Sequence, residues 1–152
     1  MYKVSMKLIQ PKTDSNKRDE FFSLIKTSKT MDDIIAYLLA SLKTERIPTD
    51  VNKIHSAFFK LKQHFPELFD NLTFSKGDLY PYSKELERIL FRFQQSNILG
   101  TINPTFEAYI ISNKSKEVIQ NYYKDKYSDE EKRILLDITE QIEKEGLLSF
   151  SS

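Results

Sequence analysis

The sequence contains no cysteine. This absence excludes disulfide bonds, thiolate nucleophiles, iron–sulfur clusters and cysteine-based zinc sites, and it suits a reducing compartment. Glycine is almost as scarce, because the chain has only Gly77, Gly100 and Gly146. Three isolated glycines cannot form a glycine-rich phosphate loop or a Gly-x-Ser-x-Gly nucleophile turn. The chain therefore lacks the usual loops of nucleotide-binding proteins and of serine hydrolases.

Long apolar segments are also missing. The longest apolar run covers residues 34–40, whereas a membrane-spanning helix needs about 20 apolar residues. Residues 1–11 alternate between polar and apolar types, which is unlike a signal peptide. We therefore predict a cytoplasmic protein that does not contact a membrane.

The chain has almost no excess charge of either sign, since 23 Lys and Arg face 22 Asp and Glu. A non-specific nucleic-acid binder is usually strongly basic, because its affinity comes from replacing counterions on phosphates. Any nucleic-acid site on this chain must therefore be a local patch. The 39% of hydrophobic residues is typical of a folded protein, and 152 residues predict one domain, 1–152.

The apolar periodicity predicts a mainly α fold with a small β-hairpin. Thr30, Ser83 and Ser128 are the predicted helix N-caps, and Gly146 is the predicted helix stop. We expect a winged-helix-like core at about 30–112, followed by a C-terminal helical extension at 113–146. The predicted strands are 2–9, 98–102 and 106–112, and the predicted helices are 17–27, 30–43, 48–65, 81–97, 113–127 and 129–145.

Three helices followed by a hairpin are typical of a winged-helix domain, in which the helix before the hairpin reads DNA. Here that helix is 82–97, and its outer side carries Lys84, Arg88, Arg92 and Gln95. Their spacing of four, four and three residues aligns them on one side, where they could contact phosphates and base edges. The alternative is an ordinary solvated face, because acidic residues are interspersed. The predicted wing, 101–105, contains no Lys or Arg, which argues against DNA.

A resemblance to a known family rests on residues 77–112. The segment contains an aromatic residue, then Pro81, Tyr82 and Ser83, a helix with Leu86, Leu90 and Phe93, and the strand Ile-Leu-Gly-Thr-Ile at 98–102. It resembles small prokaryotic winged-helix proteins of the SocA-like antitoxin type and their uncharacterised relatives. The match covers about a quarter of the chain, and Tyr80 stands where the pattern usually has glycine. The resemblance implies a regulatory or adaptor role without enzymatic activity.

Two further features suggest protein contacts. Tyr80, Tyr82, Tyr122 and Tyr123 could form an aromatic interface, although tyrosines also fill the core of a protein without tryptophan. The helix 129–145 has one apolar stripe that either packs within the chain or forms a homodimer. We therefore expect a protein partner or duplex DNA.

No catalytic constellation is apparent. The only histidines, His55 and His64, are nine residues apart on one predicted helix, so they face opposite sides and cannot share a metal. We predict no catalytic, metal or cofactor-binding residues and no enzymatic activity. The favoured hypothesis is a regulatory or protein-interaction adaptor. The alternative is a sequence-specific DNA-binding transcription regulator that uses the helix 82–97.

Overall fold

The computed structural model describes residues 29–75, 79–101 and 107–150. In these ranges the chain is mainly helical with a small antiparallel sheet, as predicted. The predicted strand 2–9, the helix 17–27 and the tip of the wing lie outside the described residues. The elements are α1 (Met31–Ser41), β1 (Arg46–Pro48), α2 (Val51–His64), α3 (Lys84–Gln95), β2 (Gly100–Thr101), β3 (Ala108–Ile110), α4 (Asn113–Tyr123) and α5 (Asp129–Glu145).

Helix ends follow local hydrogen bonding. The Thr30 hydroxyl accepts from the Asp33 backbone N–H at 3.2 Å, and the Asp33 carboxylate accepts from the Thr30 N–H at 3.0 Å. Ser128 and Glu131 form the same reciprocal capping box at the start of α5. Helix α5 ends at Gly146, whose φ of 64° is a left-handed conformation that glycine adopts without strain. These three predicted ends are confirmed.

The sheet has the strand order β1-β3-β2, and β3 is antiparallel to both neighbours. Strand β1 was missed from the sequence, because three residues that end in Pro48 show no alternation. Proline fits this position because β1 is an edge strand, where one missing N–H is tolerated. The resulting order, α1-β1-α2-α3 and then the hairpin, is winged-helix-like.

Four predicted helices are too long, 30–43, 48–65, 81–97 and 113–127, and residue 48, predicted to begin α2, ends β1 instead. Helix α3 begins at Lys84 rather than at residue 81, because Ser83 is the N-cap and Tyr82 bridges back to Ser75 in an extended conformation. Helix α4 ends at Tyr123 rather than at residue 127.

Helix α1 lies at the centre of the core, and eight of its eleven residues are buried. Helices α4 and α5 both pack against it. The apolar stripe of α5 is directed into this contact, since Leu135, Ile138 and Ile142 are buried and Ile134 is partly buried. A homodimer through α5 would therefore have to use the other side of this helix, where Leu136 is exposed.

Candidate interaction face on helix α3

Helix α3 is strongly amphipathic. Leu86, Ile89, Leu90 and Phe93 are buried, and the other side faces solvent. The four residues predicted to bind nucleic acid, Lys84, Arg88, Arg92 and Gln95, are all exposed on that outer side. The sequence spacing therefore placed them correctly on one surface.

Arg92 is already paired within the chain. Its Nε and Nη2 each donate to the Asp32 carboxylate at 2.8 Å, in a two-point contact with the first turn of α1. This contact neutralises the Arg92 charge and fixes its direction. Lys84 and Arg88 have no charged partner within the described ranges, so they are the unpaired cations of the face.

The centre of this outer face is aromatic. Phe91 is 57% exposed, and at 100° per residue it lies between Glu87 and Lys84 around the helix. Sequence reasoning missed Phe91, although its position off the buried stripe was a usable signal. The exposed side chain of Val51, in the first turn of α2, lines the same groove.

A groove of about 190 Å³ runs beside Phe91, where α2, α3 and β3 meet. Its polar lining includes His55, Glu87, Gln94 and Tyr109. The Gln94 amide donates to the Tyr109 hydroxyl at 3.3 Å. Burial raises the pKa of Tyr109, and the nearby Glu87 carboxylate adds to that effect. Tyr109 is therefore a neutral hydroxyl at physiological pH.

His55 connects the groove to the start of α3. The side chain is only 3% exposed, and its Nδ1 accepts from the Ser83 backbone N–H at 2.9 Å. Its ring stacks on Tyr82 with a centroid separation of 4.6 Å. Burial lowers the pKa of His55, whereas Glu87 acts in the opposite direction. Because Nδ1 accepts, the proton of the neutral imidazole is on Nε2.

The two histidines have different environments. His55 is buried, whereas His64 is exposed. Their predicted orientation to opposite sides of the helix agrees with this difference. Among the residues that the structure describes, no three His, Asp or Glu side chains are grouped to hold a metal.

The predicted tyrosine interface is not assembled. Tyr80 and Tyr82 are half-buried, and the Tyr82 hydroxyl donates to Glu87, a bond that raises the Tyr82 pKa to about 12. Tyr123 is buried against α1, where its hydroxyl donates to Asp33 and its ring meets Tyr37 edge-on. Of the four tyrosines only Tyr122 is exposed. The prediction of one shared surface is wrong for Tyr123, because this side chain fills the core.

We expect folding stability to fall as the pH is lowered because of His55. Its folded-state pKa lies below the usual 6.5, so the unfolded chain takes up the proton first. The His55 contribution is complete above about pH 6.5 and is lost as pH falls through the lowered folded-state pKa. Urea unfolding at pH 7.5 and pH 5.0 measures this loss.

The matched variants for this measurement are His55→Asn and His64→Asn. The Asn Oδ1 can replace Nδ1 as acceptor but does not titrate. Between pH 7.5 and pH 5.0, the free energy of unfolding of His55→Asn should therefore fall by less than that of wild type. His64 is exposed, and His64→Asn should keep the wild-type pH dependence. An unchanged pH dependence in His55→Asn would show that other groups cause it.

In the described ranges no helix combines the length and the apolar character that crossing a membrane requires. The chain matches no protein-family model, no curated protein and no solved structure, so the resemblance to SocA-like proteins stays a prediction.

Proposed function

We propose that this chain is a regulatory adaptor that binds another protein through the outer face of α3, without enzymatic activity, in the cytoplasm. The observation that carries the proposal is the exposed Phe91 at the centre of that face. Aromatic side chains are enriched at protein interfaces, where one or two of them often supply most of the binding energy. The exposed Val51 extends this apolar surface across the groove to α2.

The charges on the face favour a protein over DNA as the partner. Of the three basic residues on this face, Lys84 and Arg88 have no charged partner among the described residues, whereas Arg92 is paired with Asp32. Two phosphate contacts would give a salt-dependence slope of about −1.8, which is small for a DNA-binding protein. The Glu87 carboxylate lines the groove beside Phe91 and would repel a phosphate backbone. The net charge of +1 adds no long-range attraction.

The alternative function is a sequence-specific DNA-binding regulator. It is favoured by the winged-helix-like element order and by Lys84, Arg88 and Gln95, which are exposed on the helix that would enter the major groove. In that case Asp32→Asn, which releases Arg92, should strengthen binding to duplex DNA.

Affinity capture from a nuclease-treated extract of the source cells tests the proposal. Wild-type protein should retain a partner that Phe91→Ser loses, because removal of an anchoring aromatic side chain weakens binding by about 30-fold or more. Val118→Ser is the matched control, since Val118 is 59% exposed but lies on α4. This control should retain the partner.

Fluorescence anisotropy of labelled duplex DNA separates the two functions. The adaptor proposal expects no binding by wild type or by Asp32→Asn at low salt. Binding that weakens steeply with salt, strengthens in Asp32→Asn and disappears in Arg88→Ala would instead establish the DNA-binding alternative. If Phe91→Ser retains the partner as well as wild type does, the partner does not bind through the outer face of α3.

A further inference from the structure

We infer that the groove beside α3 binds a short extended peptide segment of the partner, with one apolar side chain in the groove and an acidic residue over Lys84 and Arg88. This inference rests on the proposed function and specifies the chemistry of the partner. It is carried by the size of the groove, by two hydrogen-bond donors that have no acceptor in the described part of the chain, and by the separation of charge around α3.

The size of the groove suits one side chain rather than a small molecule. Its volume is about 190 Å³, whereas sites for drug-sized ligands usually measure about 300–1,000 Å³. The exposed Phe91 and Val51 both contribute to its lining. An aliphatic or aromatic side chain that enters here would cover apolar surface on both residues.

Within the described ranges, two hydrogen-bond donors that line the groove have no acceptor. His55 is buried, and Nδ1 accounts for its one hydrogen bond within the described ranges. Its Nε2–H therefore has no acceptor among the residues that the structure describes. The Tyr109 hydroxyl accepts from Gln94, and its own proton is not used in any hydrogen bond among the described residues. The backbone carbonyls of an extended peptide are acceptors of the required kind.

Charge determines where the acidic residue of the peptide lies. Glu87 lines the groove and accepts from the Tyr82 hydroxyl, so a carboxylate inside the groove would be repelled. Lys84 and Arg88 are exposed one turn apart on the adjoining side of α3. An acidic side chain about two to four residues from the apolar one can reach them, at about 3.3 Å per extended residue.

Selection from a library of random linear peptides tests this inference, with the full chain as bait. Enriched peptides should combine an apolar residue with a nearby Asp or Glu. Synthetic versions are then titrated by anisotropy against wild type, Phe91→Ser, His55→Asn, Tyr109→Phe, Arg88→Glu and the control Val118→Ser. Circular dichroism and thermal melting of each variant verify that it is folded.

We expect at least tenfold weaker binding to Phe91→Ser and about five- to tenfold weaker binding to His55→Asn and Arg88→Glu. Tyr109→Phe removes a single hydroxyl and should weaken binding about threefold or more even if His55→Asn is unstable. Val118→Ser should bind as wild type does. Replacing the acidic residue of the peptide by its amide should abolish the effect of Arg88→Glu.

The failures are distinguishable. Peptides that require Phe91 but lack an acidic residue, and that bind His55→Asn and Tyr109→Phe normally, would overturn the inference and leave the adaptor face intact. If the peptides bind Phe91→Ser as tightly as wild type, the outer face of α3 is not the binding surface, and the proposed function is contradicted as well. If no linear peptide is enriched, the inference is wrong, and the capture experiment still decides whether a folded partner uses the face.

Discussion

Leu135→Ala should reduce the free energy of unfolding by about 3 kcal/mol, within the range for leucine truncation in a packed core. Leu135 lies on α5, is 0% exposed and belongs to the stripe that packs against α1. The loss combines the transfer free energy of the removed methyl groups with the cavity that remains. Urea unfolding followed by circular dichroism measures the effect.

The neighbouring residue supplies the control. Leu136 is 45% exposed, so Leu136→Ala should change stability by less than about 1 kcal/mol. The pair also tests the homodimer hypothesis, because α5 would have to dimerise through its Leu136 side. If the unfolding midpoint rises with protein concentration and Leu136→Ala removes that dependence, α5 forms an intermolecular interface.

Lys116→Met should cost about 2–4 kcal/mol of stability, because it removes two charge-assisted hydrogen bonds and leaves their acceptors without a donor. The Lys116 ammonium is buried and donates to the carbonyl oxygens of Leu42 and Thr44, both at 2.6 Å. Burial lowers the pKa of Lys116, while Glu45 and Glu143 act in the opposite direction. The side chain therefore joins α4 to the segment that follows α1.

Lys114→Met is the matched control for this prediction. Lys114 lies on the same helix and is exposed, so its substitution should change stability by no more than about 0.5 kcal/mol. Chemical denaturation of both variants gives the comparison. Equal losses would mean that the two hydrogen bonds of Lys116 contribute nothing beyond helix propensity. A second contact from α4, the Gln120 amide to the Ala40 carbonyl at 3.0 Å, remains in either variant.

Much of the candidate site could be predicted because it depends on a single helix. The spacing of Lys84, Arg88, Arg92 and Gln95 placed all four on the outer side of α3. The sequence could not show that Arg92 is paired, because Asp32 is 60 residues away along the chain. The number of basic residues on the outer side of α3 therefore overestimates the positive charge that could bind DNA phosphates.

The local pattern by itself determined the mainly α class, the capping boxes at Thr30 and Ser128 and the end of α5 at Gly146. Each of these depends on hydrogen bonds or side-chain periods within a few residues of the chain. Only the tertiary structure decided that Arg46–Pro48 is a strand, because its hydrogen bonds require β3, which lies 60 or more residues later in the chain. It likewise decided the burial of His55 and of Tyr123, whose partners Ser83 and Asp33 lie 28 and 90 residues away. Burial and pairing at these positions depend on which surfaces meet, and that choice is made by the packing of the whole core around α1.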